Sequence, residues 1–520
     1  MPKRATPNSL DHNHKNYNFW GRENELHQLK QMWELQGSGA HLIVCEGRRR
    51  IGKSYLIEHF GTTSAEIFLE FQGLAPRPGI SNKDQLQNFT EQISRQSNLP
   101  KVIIDDWTAA FTLLNSILDH HIHHTHHTTH TNHSSIKKGK QKRVVILLDE
   151  ISWMATKDDD FAGKLKIAWD TLFSKRSNLI LILCGSITSW IENNILANTD
   201  FVGRVSLCIN LKELPLNICA KFWRNTSTHE QISSFEMAKI LSLTGGVPRY
   251  LKDINYKETA EQNIHRLAFS AGGLLVDEFE KIFNEVFDKR SKAYKKIIDV
   301  LKDRHFSFVE ICKKTKQDKN GVISKYLEDL CISGFLERDY VYTPNNNGKK
   351  SEKFSRYRLK DNYLRFYLKY IESQKDKINK NLFKKISLEN LSNWNAIMGL
   401  QFQNIILNNI DRILTIIKID SNSLLASSPY FQNKTTKNKG GCQIDLLIET
   451  KNSILYVCEF KFSKEISDDI ITAMKKKIHT LQRPKHYSVR PILIYGGNLS
   501  STVIDSDYFY KIISLDELFI

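Results

Sequence analysis

His41-Leu-Ile-Val-Cys-Glu46-Gly47-Arg48-Arg49-Arg50-Ile51-Gly52-Lys53-Ser54 decides the fold, because an apolar strand runs directly into the pattern GxxxxGK[ST] and a helical stretch follows it. The glycines let successive backbone N–H groups wrap a phosphate, and the helix behind them adds the positive end of its dipole. On this reading residues Gly47, Arg48, Arg49, Arg50, Ile51, Gly52, Lys53 and Ser54 hold the nucleotide. Lys53 reaches the β- and γ-phosphates, and the Ser54 hydroxyl ligates Mg2+. At average residue frequencies a chance match is expected on the order of 0.02 times in a chain of this length.

The second half of such a site lies at Val144-Val-Ile-Leu-Leu-Asp149-Glu150, an apolar strand ending in two acids. Asp149 is placed to hold Mg2+ through water, and Glu150 to orient and deprotonate the attacking water. The alternative is that the two acids cap the next helix. A third strand ends in Cys184-Gly185-Ser186, where Ser186 either senses the γ-phosphate or simply starts a loop. Arg204, in Phe201-Val-Gly-Arg204, is a candidate arginine finger acting in cis or from a neighbouring subunit; a surface ion pair is the competing reading. ATP and Mg2+ are the cofactors expected.

Working outward, short apolar runs at His41–Glu46, Glu66–Phe71, Arg143–Asp149, Leu179–Cys184 and Val205–Asn210 alternate with helical segments, which predicts a parallel sheet covered on both faces. Residues 19–212 form this α/β P-loop unit, behind a polar lead over 1–18 that lacks a secretory h-region. A histidine-rich insertion at 120–140 carries eight histidines between His120 and His133, without fixed metal-ligand spacing, and is expected to be a solvated loop. Residues 213–285 look helical, with a sharp break at Thr244-Gly-Gly-Val-Pro248, and suggest a lid. Over 286–372, Tyr294, Ile297, Ile298 and Leu301, then Ile323, Tyr326, Leu327 and Leu330, mark two amphipathic helices ahead of a basic hairpin, the pattern of a winged helix. Lys319, Lys325, Lys349, Lys350 and Lys353 would then lie on DNA phosphates; a protein-binding face is the alternative.

With 520 residues, 41% apolar and 25% charged, the composition is that of a soluble multidomain protein, and no apolar run approaches the length of a membrane span. Eight scattered cysteines form neither a CxxC knuckle nor a disulfide framework, so a cytoplasmic location is expected. The net charge of +17 favours nucleic acid as a partner, although a lysine-rich composition alone gives the same figure.

The last domain, 387–520, holds Gln443-Ile-Asp445-Leu-Leu-Ile-Glu449 and Ile454-Leu-Tyr-Val-Cys-Glu459-Phe-Lys461, a predicted β-hairpin. If Thr450–Ile454 is the loop, Asp445 faces Glu459, and Lys461 shares that face by the period of two. Asp445 and Glu459 would bind Mg2+ and Lys461 would help activate water, the D…ExK arrangement of PD-(D/E)XK nucleases. A ladder of cross-strand charge pairs on a solvated face has the same letters.

In order, Phe19-Trp-Gly21-Arg22-Glu23-Asn-Glu25-Leu26, Gly47–Ser54, Leu147-Leu-Asp149-Glu150, Cys184-Gly-Ser186, Phe201-Val-Gly-Arg204 and Thr244-Gly-Gly-Val-Pro248-Arg-Tyr-Leu251 span most of 19–255. This set resembles archaeal-type, AAA-like P-loop ATPases that carry a C-terminal PD-(D/E)XK nuclease-related domain. The resemblance implies that Gly21 and Arg22 lie near the adenine, that Arg204 is the arginine finger, and that the Gly246–Pro248 loop closes over nucleotide. It also implies homo-oligomers or a protein partner, and a restriction-endonuclease-like α/β fold at the C-terminus. One departure is clear: the family helix before the nuclease core carries Phe-Glu, and this chain has Phe402-Gln403. The function expected is ATP hydrolysis driving a switch on DNA, coupled to a nuclease-like domain, with a regulatory scaffold whose C-terminal domain only binds as the alternative.

Overall fold

Three strands of the N-terminal sheet are buried along their whole length, which their unbroken apolar sequences require of strands covered on both faces. They are β1 (His41–Glu46), β3 (Val144–Asp149) and β4 (Leu179–Gly185); β2 (Ile67–Gln72) and β5 (Val205–Asn210) are the edges. All neighbours are parallel, in the order β2-β3-β4-β1-β5. The strands expected from sequence lie within one residue of those observed. The computed structural model describes residues 19–35, 39–77, 79–123, 142–186, 188–224, 232–287, 290–319, 321–342, 355–383, 387–432 and 440–520. The polar lead, most of the histidine-rich insertion, and Lys349, Lys350 and Lys353 lie outside these residues.

The period of two divides the sheet between two cores. Leu42, Val44, Ile146, Leu148, Leu181 and Leu183 pack with Phe89, Trp107 and Phe111, whereas Ile43, Cys45, Val145, Leu147, Ile180 and Ile182 pack with Leu56, Ile57 and Phe60. Each fully buried Leu or Ile contributes about 1.5–3 kcal/mol relative to exposure, so the sheet is the stable platform on which the phosphate loop is mounted. Trp107 is buried with its ring N–H donated to Asn82 Oδ1 at 2.9 Å, so its polar atom is satisfied.

Beyond β5 come helices Leu216–Arg224, Ser234–Thr244, Ala260–Ala268 and Glu278–Phe287. Three more, Ser291–Leu301, Phe308–Thr315 and Gly321–Ile332, precede an antiparallel pair, β6 (Leu336–Tyr340) with β7 (Ser355–Leu359). These helices do not close separate cores. One apolar cluster runs from Leu243 and Val247 through Phe283, Tyr294 and Leu327 to Met398, and a second joins Trp223 and Leu241 to Phe402, Ile448 and Phe519. The stretches 213–285, 286–372 and 387–520 therefore share packing, because each short amphipathic helix needs a neighbour to bury its stripe.

The C-terminal sheet is mixed, in the order β12-β11-β10-β9-β8. It comprises β8 (Leu424–Gln432), β9 (Cys442–Thr450), β10 (Ile454–Ile466), β11 (Ser488–Leu499) and β12 (Lys511–Ser514). The pairs β8–β9 and β9–β10 are antiparallel; β10–β11 and β11–β12 are parallel. The β9–β10 register pairs Thr450 with Ile454 and Leu446 with Cys458, which is the expected register. The loop is shorter than the five residues anticipated, with Thr450 and Ile454 paired and Ser453 at φ 56° taking the turn. Against β8 the register slips by one between Ser428↔Leu447 and Tyr430↔Ile444, so a bulge in β9 falls at Asp445 and Leu446. Bulges of this kind re-aim a side chain. Among the described residues no helix is long and apolar enough to cross a membrane, and the eight cysteines are free.

Candidate nucleotide site and the Asp445 cluster

The phosphate loop needs glycine at two positions. Gly47 has φ 142° and a Cβ there would lie 2.6 Å from the Leu211 carbonyl oxygen; Gly52 has φ 92° and precedes the helix Lys53–Ser64. Gly52 has no side-chain cap, so the first N–H groups of this helix face the loop. Lys53 is buried and donates to Gly47 O at 2.9 Å, Arg48 O at 3.3 Å and Ser186 Oγ at 3.1 Å. Ser54 Oγ donates to Asp149 Oδ2 at 2.7 Å. Glu150, at φ 50°, accepts from Ser186 Oγ at 2.7 Å and Ser186 N at 3.1 Å. The sheet order explains the meeting: β4 lies between β1 and β3, so the residue that ends it reaches both Lys53 and Glu150. A serine hydroxyl beside a carboxylate is a hard-oxygen pair that suits Mg2+, and a helix N-terminus with a lysine suits a polyphosphate; the residues fit both groups.

The arginines of the loop have partners of their own. Arg48 is buried and forms ion pairs with Asp361 at 2.7 Å and Glu213 at 3.4 Å. Burial opposes its charge, but Asp361, Tyr250, Glu213 and Glu278 together hold its pKa above the ordinary value. Arg50 Nε and Nη2 contact Glu278 Oε1 and Oε2 at 2.7 and 3.2 Å, and the Arg49 guanidinium lies 6.0 Å from the Trp153 ring centre. Ile51 is fully buried. The side chains of Arg48, Arg50 and Ile51 thus point away from a phosphate, which leaves their backbone N–H groups to face one. The Gly246–Pro248 loop does sit at the phosphate loop, with Pro248 Cγ 3.8 Å from a Cβ built on Gly52. Gly21, at φ 75°, packs against Ile218, and Arg22 donates to Ile51 O at 3.2 Å and Lys212 O at 2.7 Å.

Arg204 is at the other end of the sheet. It precedes β5, which begins beside Leu42 at the start of β1. Five residues of strand, roughly 16 Å, separate that end from the phosphate loop. Arg204 contacts Asp170 with Nε at 2.7 Å and Nη2 at 2.9 Å. A finger acting in cis is therefore corrected: in its own chain Arg204 is an ion-paired residue remote from Lys53.

Sequence reasoning missed Glu70. It lies on β2, whose Gln72 pairs with Asp149, and it feels the charges of Asp149 and of Glu58 on the Lys53–Ser64 helix. Burial, with Asp149 and Glu58 adding to it, pushes its carboxyl up to about 7. The pairing of β2 with β3 was the missing signal, since nothing local in the sequence couples Glu70 to Asp149. Asp361 and Glu278 were missed for the same reason, being remote in sequence from the arginines they hold.

In the C-terminal domain Asp445, Glu459 and Lys461 come together. Asp445 Oδ2 accepts from Phe460 N at 2.9 Å and Oδ1 from Gln403 Nε2 at 3.2 Å. Lys477, on helix Asp469–Thr480, lies 2.5 Å from Glu459 Oε2, and Lys461 lies 3.6 Å from Oε1. Burial first, then the Glu459 charge, raises the Asp445 carboxyl to about 6. Lys477 carried no signal in sequence. Among the described residues no group of three or more His, Cys, Asp or Glu side chains is gathered to hold a metal. Lys325 is paired with Glu328 at 3.6 Å and Asp329 at 3.3 Å.

Residues 19–254 match a family described as an ATPase domain predominantly from Archaea. An uncharacterized protein of Methanocaldococcus jannaschii is 23% identical over 394 residues, 74% of this chain and 76% of that one. Among solved structures, a Walker-type ATPase of Pyrococcus abyssi is similar over 68% of this chain and 97% of its own, at 14% identity and a TM-score of 0.47. The ORC2 protein of Aeropyrum pernix, in ADPNP–ADP complexes, is similar over 71% and 98%, at 12% identity and a TM-score of 0.41. With its parallel five-stranded sheet and phosphate loop, the segment 19–254 is a P-loop ATPase-type domain similar to that predominantly archaeal family.

Proposed function

We propose that the protein is an ATP-hydrolysing switch that acts on DNA, its nucleotide state repositioning a winged helix over 286–372 and a nuclease-like domain over 387–520. The observation that carries this reading is the pair of ion contacts leaving the phosphate loop. Arg48 is held by Asp361 and Arg50 by Glu278, both carboxylates being 1% exposed and outside the sheet domain. A loop that moves on binding phosphate must move these partners or break the pairs. Buried pairs resist breaking, so movement is transmitted.

At the site, Lys53 binds the β- and γ-phosphates, and Ser54 and Asp149 hold Mg2+, which when bound neutralises charge developing on the phosphates. Ser186, hydrogen-bonded to Glu150 and Lys53, reports a γ-phosphate by exchanging those partners. Glu150, once released, takes the proton of the attacking water. Arg204, far from its own site, supplies its cation to a neighbouring copy, which makes the active species an oligomer. Lys319, ahead of helix Gly321–Ile332, and Lys325, within it, face DNA phosphates, and the protein works in the cytoplasm.

The test is steady-state phosphate release with and without polynucleotide across a salt series. Turnover should rise with DNA and lose that rise as salt increases; turnover indifferent to DNA at every salt concentration overturns the DNA arm. A second reading of the C-terminal domain, as a binding module that does not cleave, is favoured by the neutral Gln403 amide on Asp445.

A further inference from the structure

The carboxylates of a two-acid metal site share their free oxygens with the ion, and the rest of the site compensates the remaining charge. The Asp445 cluster is arranged differently. Glu459 is 4% exposed, and each of its carboxylate oxygens lies beside an ammonium, Lys477 at 2.5 Å and Lys461 at 3.6 Å. Both Asp445 oxygens accept N–H groups, one from the β10 backbone and one from the Gln403 amide. Two acids therefore meet two lysines, and the cluster is neutral without any added ion. Lys477 is held in place from both sides: its own carbonyl accepts from Cys442 Sγ on β9, and its helix buries Ile470 and Met474 against the sheet face.

We infer that the Asp445 cluster excludes divalent cations because Lys477, with Gln403 in place of a third acid, supplies the cation of the site as a side chain. This rests on the reading of 387–520 as a nuclease-like domain. A divalent ion would add two positive charges to a balanced cluster, and to reach Glu459 it must displace the Lys477 ammonium, whose side chain is 27% exposed, from a buried partner. The exchange gives up a short ion pair and leaves the cluster with excess positive charge, so it runs uphill. The domain then keeps the strand placement of a nuclease-like site while the Asp445 cluster is charge-balanced and metal-independent.

The probe is Mn2+ alone, titrated into nucleotide-free full-length protein and followed by the electron paramagnetic resonance signal of the free ion. A Ser54→Ala background silences the phosphate-loop site. In that background the chain should show no Mn2+ binding sensitive to Asp445→Asn. Adding Lys477→Ala and Gln403→Glu should create about one site per chain, at least about tenfold tighter than the background and abolished by Asp445→Asn. Lys477→Met, which keeps the aliphatic stem and packing, should give a weaker gain of the same kind and stands in if the double variant does not fold. Mn2+ binding by the background chain that Asp445→Asn abolishes overturns the inference and leaves the nuclease-like reading intact. Folded variants that gain no Mn2+ overturn both.

Discussion

The Lys53 site and the Asp445 cluster each gather two carboxylates with lysine, one lysine at the first and two at the second, but their acids are satisfied differently. At the first, Asp149 accepts from the Ser54 hydroxyl and Glu150 from the hydroxyl and backbone of Ser186, while Lys53 donates to carbonyls and to that same serine. Among the described residues neither acid pairs with an ammonium. At the second, Glu459 carries two. Neutral donors can be exchanged for a cation with little electrostatic cost, whereas an ammonium on a buried carboxylate cannot leave without stranding charge. Similar inventories of residue types thus make one site ready for a metal–phosphate ligand and the other closed on itself.

The sharpest way to break this contrast is to remove one lysine from the first site and one acid from the second, and to read the same reaction. Lys53→Ala should lower kcat/KM for ATP on the order of 100-fold or more, the scale seen when a preorganised donor to developing charge is lost. Asp445→Asn should leave it within about twofold, since that cluster touches no nucleotide. A comparable loss in both variants would mean that the two sites work as one.

Stability gives the next largest effect. Asp361→Ala leaves the buried Arg48 with the longer Glu213 contact, and should cost about 3 kcal/mol. Glu459→Gln frees Lys477, whose partial exposure lets water take over, and should cost about 1 kcal/mol. Urea unfolding at unchanged m-value checks both numbers. The reverse order would place the tighter electrostatic lock in the C-terminal domain.

A smaller, pH-dependent effect belongs to Glu70. Its folded carboxyl is raised to about 7 by burial and by Asp149 and Glu58, against an ordinary value of 4.5. Between those values the folded chain holds a proton that the unfolded chain has released, so this group adds stability as pH falls from 7 toward 4.5. Above 7 both states are ionised and the folded state bears the full cost. Glu70→Gln should therefore stabilise the protein at pH 8 by about 1 kcal/mol, roughly a third of the nominal shift because the group is partly solvated, and the gain should vanish toward pH 4.5. Thermal melts at the two pH values, on both proteins, read the difference.

What the sequence made legible follows the same contrast. The phosphate loop and the Asp149-Glu150 strand end are each a contiguous motif whose chemistry needs those residue types in that order, so Lys53, Ser54, Asp149 and Glu150 could be grouped from sequence, and the fold brings them together. Ser186 was placed because a strand ending in Gly-Ser is also local. The β9–β10 register was legible too, since hairpin pairing follows from a short turn. What escaped depends on packing between distant segments: Asp361 and Glu278 on the loop arginines, Glu70 across a parallel pair, Lys477 on a helix that reaches back over β10. The cis reading of Arg204 failed for a topological reason. All strands run the same way, so a residue just before β5 sits at the end of the sheet opposite the loop that follows β1.

That topology yields the smallest but most specific signal. Arg48 and Arg50 are paired with carboxylates, and Arg204 is about a strand length away, so none of these three is placed to meet charge at the γ-phosphate of its own chain, and a residue from another copy becomes a candidate. If the cation is the Arg204 of a neighbour, Arg204→Gln and Lys53→Ala are each poorly active alone, but they damage different halves of a shared site. Mixed in equal amounts and allowed to exchange, about one interface in four then combines an intact Lys53 with an intact Arg204, and roughly a quarter of wild-type turnover should return. Dilution should remove the recovered activity along with the oligomer. A mixture no more active than its components at any concentration would confine Arg204 to its ion pair with Asp170, and the Lys53 site would then have to be complete within a single chain.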